Sequence, residues 1–227
     1  SAETEYEFSL EVETAGRYWI AAVYAAYEDN AFENQAAVSV NGSEQTVALP
    51  FLWADTCETG VDRYGNERQP EQYQLPFSAA LFADYGDFSR LPLEYELQSG
   101  ANSLTILPMN QDMELYAIYA VEPEEAPGYG EYLAAHAGAD EYTGPLITVQ
   151  GEDFRAKSDS AIRGSSVQNA SLTPYSPYGK LINATEDKSN KRIGQKLYYE
   201  IEVPEDALYC LSFKYSQPLK TGGLSYR

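Results

Sequence analysis

The residues best equipped for chemistry gather in one stretch, FLWADTCETGVDRYGNERQPEQYQLPFSAALFADYGDFSR, residues 51–90. Trp53, Tyr64 and Tyr73 offer flat aromatic faces, and Asp55, Asp62, Arg63, Asn66 and Glu67 place carboxylate, guanidinium and amide groups among them. Aromatic faces stack on the C–H groups of a sugar ring while carboxylates and amides hydrogen-bond its hydroxyls, so this mixture suits a carbohydrate ligand. The competing reading is that Trp53 and Phe51 plug the edge of a β-sandwich while the charges face water. Asp55, Asp62, Asn66 and Glu67 are also hard oxygen donors of the kind calcium takes, but their spacing is not that of a twelve-residue EF-hand loop. A solvated acidic loop accounts for them better.

Other chemistries find less to work with. The single histidine, His136, has no second His and no Cys near it in sequence, so it cannot build a common zinc site, and the same scarcity argues against the Ser-His-Asp and Cys-His arrangements. Paired carboxylates could serve glycoside hydrolysis, but with 35 Asp and Glu in the chain their presence discriminates nothing. Lys157-Ser158-Asp159-Ser160 has the look of a serine–lysine motif without its companions. No catalytic residue is assigned and the chain is expected not to be an enzyme. The formal net charge of −20 repels phosphate backbones and anionic headgroups, which argues against nucleic acid and membrane-surface partners. No run approaches the ~20 apolar residues of a membrane helix. Cys57 and Cys210 fall in different parts of the chain and are expected to be free thiols.

These groups need a scaffold, and the hydrophobic pattern predicts one built of strands. Period-two alternation marks runs at roughly 6–13, 17–26, 35–40, 45–50, 91–97, 102–107 and 113–121. Asn41-Gly42 between two such runs signals a two-residue hairpin, and Gly100-Ala101-Asn102 marks another turn. Helical character is confined to YGEYLAAHAG, residues 129–138, after the linker-like EPEEAPG. PLITVQGEDF then reads as a strand, followed by a polar segment with Ser, Asn and Tyr-Pro turns. YEFSLEVETAGRYWIAAVY, from Tyr6, resembles YYEIEVPEDALYCLSFKY, from Tyr198: Leu10 falls on Ile201, Val12 on Val203, Tyr18 on Tyr209 and Ile20 on Leu211. Both copies read as a strand, a tight connection and a second strand. The expected organisation is therefore all-β: a module over 1–122 with a long insert at 51–90, a linker with a short helix over 123–145, and a second, partial module over 146–227.

The motif V-x-x-A-G-x-Y-x-I from Val12, the hairpin VSVNG and the run L-x-S-G-A-N-S-L-T-I from Leu97 resemble the galactose-binding-like β-sandwich that houses many carbohydrate-binding modules. D-R-Y-G-N-E-x-x-P from Asp62, EYLAAHAG, GEDFRAKSDSAIR and IEVPEDALYCLSFKYSQ are similar to tandem modules of large bacterial extracellular solute-binding proteins of ABC importers. This resemblance implies two jelly-roll sandwiches, the second truncated, within a longer parent chain at a bacterial cell surface. It implies a non-catalytic region that binds or presents a glycan, the alternative being a spacer or protein-docking module with no sugar site. Such modules often hold calcium between an early acidic residue and an Asp of the last strand. Tyr116 falls near that Asp position with Glu114 two residues earlier on the same strand face, and Glu152 and Asp153 match the acidic opening of the second module. Calcium is thus the one candidate cofactor, with Glu114, Glu152 and Asp153 as its implied ligands.

Overall fold

In a computed structural model of the chain, the residues described are 5–26, 34–56, 60–87, 91–110, 113–124, 126–185 and 194–215. They form β1 (Tyr6–Val12), β2 (Gly16–Ala26), β3 (Asn34–Val40), β4 (Ser43–Leu49), β5 (Trp53–Asp55), β6 (Gln72–Gln74), β7 (Ser78–Leu81), β8 (Ala83–Asp84), β9 (Glu94–Leu97), β10 (Gly100–Pro108), β11 (Met113–Val121), α1 (Tyr129–Ala135), β12 (Ala156–Lys157), β13 (Gly164–Ser165), β14 (Ala184–Thr185) and β15 (Leu197–Tyr198). The seven alternating runs before residue 122 are all strands. Their inward residues form two facing layers: β1-β10-β3-β4-β8 in one antiparallel sheet, and β11-β2 in the other, with β7 and β9 sharing the far side of β2. Val38, Val47, Leu104 and Ile106 of the first sheet close on Ile20, Ala22, Tyr24 and Leu97 of the second, in a single core. The fold is all-β and the module is an antiparallel β-sandwich.

Local chemistry sets the turns. Asn41 and Gly42 both have positive φ, 49° and 85°, as a type I′ hairpin between β3 and β4 demands. At the start of β10, the buried Asn102 side chain donates to the carbonyls of Gln98 and Gly100 at 2.8 and 3.1 Å and accepts from the Gln98 N–H at 2.8 Å, tying off the β9–β10 turn. The expected hairpin over 6–24 differs in one respect. β1 and β2 do not pair with each other: β1 pairs with β10 in one sheet and β2 with β11 in the other, so residues 13–15 form an arch between layers. Alternation within each strand is the same for a hairpin and an arch, so the sequence pattern does not separate them.

The insert is more ordered than its composition suggests. β7 extends the second sheet and β8 the first, with Phe82 between them fully buried, while β5 and β6 pair with each other in a further sheet with β12 and β15. Contacts divide the chain into two compact units: Ser1–Glu125 with Val149–Ile201, and Ala126–Thr148 with Glu202–Arg227. In the second unit α1 matches the predicted helix, and Tyr142 stacks on Tyr209 with ring centroids 4.7 Å apart. None of that unit's described residues is buried. The strand expected over PLITVQGEDF is not formed, and of the strands expected at 197–203 and 208–215 only β15 and a single bridge at Leu208 are present. Alternation makes a strand only when a ladder partner and a covering layer exist, and no described segment supplies them there. Cys210 is a free, exposed thiol, and Cys57 lies outside the described residues. Among the described residues no helix is long and apolar enough to cross a membrane.

Ile106 is completely buried and paired with Val38 across the first sheet. Ile106→Ala is expected to lower stability by about 2–5 kcal/mol through lost transfer energy and a residual cavity, while the exposed Leu146→Ala changes it by less than about 0.5 kcal/mol. Urea unfolding followed by circular dichroism measures both.

Candidate functional site

The first half of the insert is fastened to residues 149–201, and the fastening starts at one side chain. Lys157 in β12 is entirely buried and pairs across the backbone with Trp53 of β5. Its ammonium donates to Asp55 Oδ1 at 2.6 Å and to the Ile162 carbonyl at 2.7 Å, and lies 5.2 Å from the centre of the Phe154 ring. Arg163 Nη1 stands 3.8 Å from the same Asp55 oxygen. Burial pulls the Lys157 ammonium below its usual range, and the Asp55 carboxylate opposes the shift. Two candidate sugar contacts are thereby spent on structure: Trp53 is buried, and Asp55 neutralises a buried cation.

Asp62, Arg63, Tyr64, Asn66 and Glu67 lie on one loop that the chain makes rigid. Asp62 Oδ1 accepts from the backbone N–H groups of Tyr64 and Asn66 at 2.8 and 2.9 Å, and its other oxygen accepts from Asn66 Nδ2 at 3.0 Å. These bonds, the Asn66 side chain first, hold the Asp62 carboxyl below the usual carboxylate value. Gly65 supplies the positive φ of 81° on which the turn depends. The loop is then stitched to a second one. Glu67 N–H donates to the Lys180 carbonyl at 2.9 Å, Asn66 Oδ1 accepts from Lys180 N–H at 2.9 Å, and Glu67 Oε2 accepts from Ile182 N–H at 2.7 Å. Gly179 approaches so closely that a Cβ there would sit 2.5 Å from the Gly65 carbonyl oxygen.

The residues next to that close approach are aromatic and face solvent. Tyr64, beside Gly65, is 68 % exposed, and Tyr178, beside Gly179, is 95 % exposed. The Arg63 guanidinium lies 4.6 Å from the centre of the Tyr64 ring. Of the three aromatics expected to form a binding rim, Trp53 is inside while Tyr64 and Tyr73 are outside. Tyr73 sits on β6, opposite Ala54. Tyr178 is absent from the sequence-based set. Its one signal is an aromatic between Pro177 and Gly179, in a run that also holds Tyr175 after Pro174.

The implied calcium ligands belong to two separate places. Glu114 is exposed on β11 and accepts from Tyr116 OH, whereas Glu152 feels the charges of Asp153 and Glu67. Asp55 is paired with Lys157, and both Asp62 oxygens bond within their own loop. Among the described residues no three His, Cys, Asp or Glu side chains gather into a set that could hold a metal ion.

No protein-family model matches the chain, and no curated protein matches it. Among solved structures it is similar to a Podospora anserina GH26-CBM35 β-(1,4)-mannanase, at 14 % identity and TM-score 0.35 over 65 % of this chain and 23 % of the mannanase. A ruminal GH26 endo-β-1,4-mannanase gives 16 % identity and TM-score 0.31 over 66 % of this chain and 22 % of the other. A family 35 carbohydrate binding module from an environmental isolate gives 12 % identity and TM-score 0.26, with 54 % of this chain and 73 % of that one covered. The chain thus spans less than a quarter of either mannanase.

Two substitutions test the fastening. Asp55→Ala leaves the Lys157 ammonium buried without its counter-ion and is expected to lower stability by about 3–5 kcal/mol, read as a shift in the denaturant midpoint. Burial raises the Glu152 carboxyl above its usual value, with Asp153 and Glu67 adding to the shift, and its Oε2 has no hydrogen-bond partner among the described residues. A carboxyl raised in the folded state binds its proton more tightly folded than unfolded. Its contribution is therefore complete below the unfolded value and lost as pH rises through the folded one. Glu152→Gln is expected to raise the urea midpoint above wild type near about pH 7 and to match wild type near about pH 4.

Proposed function

We propose that the joined loops carrying Tyr64 and Tyr178 form a carbohydrate-binding surface, and that the chain is a non-catalytic, glycan-binding region of a bacterial surface protein. The observation that carries this reading is the pair of solvent-facing tyrosines on loops fixed by backbone hydrogen bonds. An exposed aromatic held on a rigid loop loses little freedom when a ligand stacks on it. Arg63 braces one side of the Tyr64 ring and leaves the other for a sugar face. The ligand is a neutral glycan, since a net charge of −20 disfavours anionic ones. The bacterial-surface setting draws its support from the sequence motifs alone.

A second reading has its own observation. Trp53, Asp55, Asp62, Asn66 and Glu67 are all occupied in holding the insert together, as a spacer or protein-docking module with no sugar site would need. A calcium-supplemented glycan array separates the two. Binding of at least one neutral glycan is expected, weakened about tenfold or more by Tyr64→Ala and by Tyr178→Ala. A blank array with wild-type protein, or a hit indifferent to both substitutions, would overturn the assignment of this surface.

A further inference from the structure

Tyr64 and Tyr178 stand on two turns of one design. In Asp62-Arg63-Tyr64-Gly65 the Asp62 carboxylate accepts from the Tyr64 N–H at 2.8 Å, and in Ser176-Pro177-Tyr178-Gly179 the Ser176 hydroxyl accepts from the Tyr178 N–H at 3.2 Å. Each acceptor takes a second N–H further on, that of Asn66 at 2.9 Å in the first turn and that of Gly179 at 3.1 Å in the second. An oxygen-bearing side chain two residues ahead of the tyrosine thus fixes the backbone that carries it. The glycines that follow the tyrosines are the residues that touch, since a Cβ on Gly179 would lie 2.5 Å from the Gly65 carbonyl oxygen. The bonds of Asn66 and Glu67 to Lys180 continue the seam, with both loops running the same way.

Equivalent turns joined at equivalent glycines place the two tyrosines side by side, yet their rings stay separate. Tyr178 is 95 % exposed, so its ring is not packed on Tyr64, and Tyr64 keeps 68 % of its surface with Arg63 on its ring. The surface therefore offers two stacking platforms and not one. We propose, on the basis of the carbohydrate reading above, that it takes an internal stretch of a linear neutral glycan, with one sugar unit stacked on each tyrosine. A repeated platform suits a repeated ligand unit. Once one sugar is stacked, the chain holds another near the second ring, and the second contact becomes an intramolecular step. Selecting a chain end instead would take a wall that stops the chain from continuing, and a side chain as exposed as Tyr178 has none around it.

The experiment titrates the full chain calorimetrically with length series of linear β-1,4-linked glucose, mannose and xylose oligomers, from the single sugar upward. For a series that binds, affinity is expected to rise about tenfold or more between the single sugar and the first chain that reaches both rings. Tyr64→Ala and Tyr178→Ala should each remove that gain while leaving single-sugar affinity within about twofold, because the remaining ring still accepts it. Tyr178→Phe should keep the gain, since the ring face is retained. Equal affinity for the single sugar and the chain would overturn the two-platform assignment and leave the carbohydrate reading standing. So would single-sugar binding abolished by either alanine substitution, which would place one sugar between the rings, or chain binding lost on blocking the reducing end. Silence from all three series would also overturn the assignment, while the glycan array decides the carbohydrate reading separately.

Discussion

The arrangement of the insert depends on a lysine that is fully buried. Desolvating an ammonium costs several kcal/mol, and the chain recovers this only by bringing Asp55, the Ile162 carbonyl and the Phe154 ring to one point. Those groups come from β5 and from the segment after residue 149, which are distant in sequence. Once Lys157 is in place, β12 must lie beside β5, and the loops on either side are brought within hydrogen-bonding distance. The close approach of Gly179 to Gly65 and the bonds of Asn66 and Glu67 to residues 180 and 182 are consequences of that placement.

This explains a division of labour among polar groups that are chemically alike. The carboxylates of Asp55, Asp62 and Glu67 are all suited to sugar hydroxyls or to a cation. Each is instead taken by a nearer donor inside the protein, because an unpaired polar group in a tightly packed loop costs more than a solvated one. What remains for a ligand is the outer surface of the stitched loops, where aromatic rings rather than carboxylates are on offer. Arg63 keeps its charge in water while its guanidinium covers one face of Tyr64.

The sandwich and the second hairpin copy are the same pattern under two circumstances. In the first, alternate apolar residues find two opposing layers and become the core. In the second, the bend and its tyrosine hydrogen bond are made locally, but among the described residues no layer covers the apolar side chains, and regular strand geometry fades beyond β15. Local chemistry is sufficient for the bend and insufficient for the sheet, since a strand gains its stability from neighbours across the ladder and across the core.

The sequence by itself determined the class of fold. Period-two alternation placed β1 to β4 and β9 to β11 close to their observed ends. Asn41-Gly42 marked the hairpin, and Gly138 marked the end of the helical run shortly after α1. These are local effects of side-chain direction and backbone preference, which a short window contains in full. It also picked out the insert as the region where polar and aromatic groups concentrate. Only the tertiary structure decided which of them face outward. Trp53 and Asp55 turned inward because Lys157, about a hundred residues later, needs a wall and a counter-ion. Tyr178 became a candidate only because Gly179 packs on Gly65. Each of these outcomes depends on contacts between residues far apart in the chain, and alternation and turn chemistry carry no record of them.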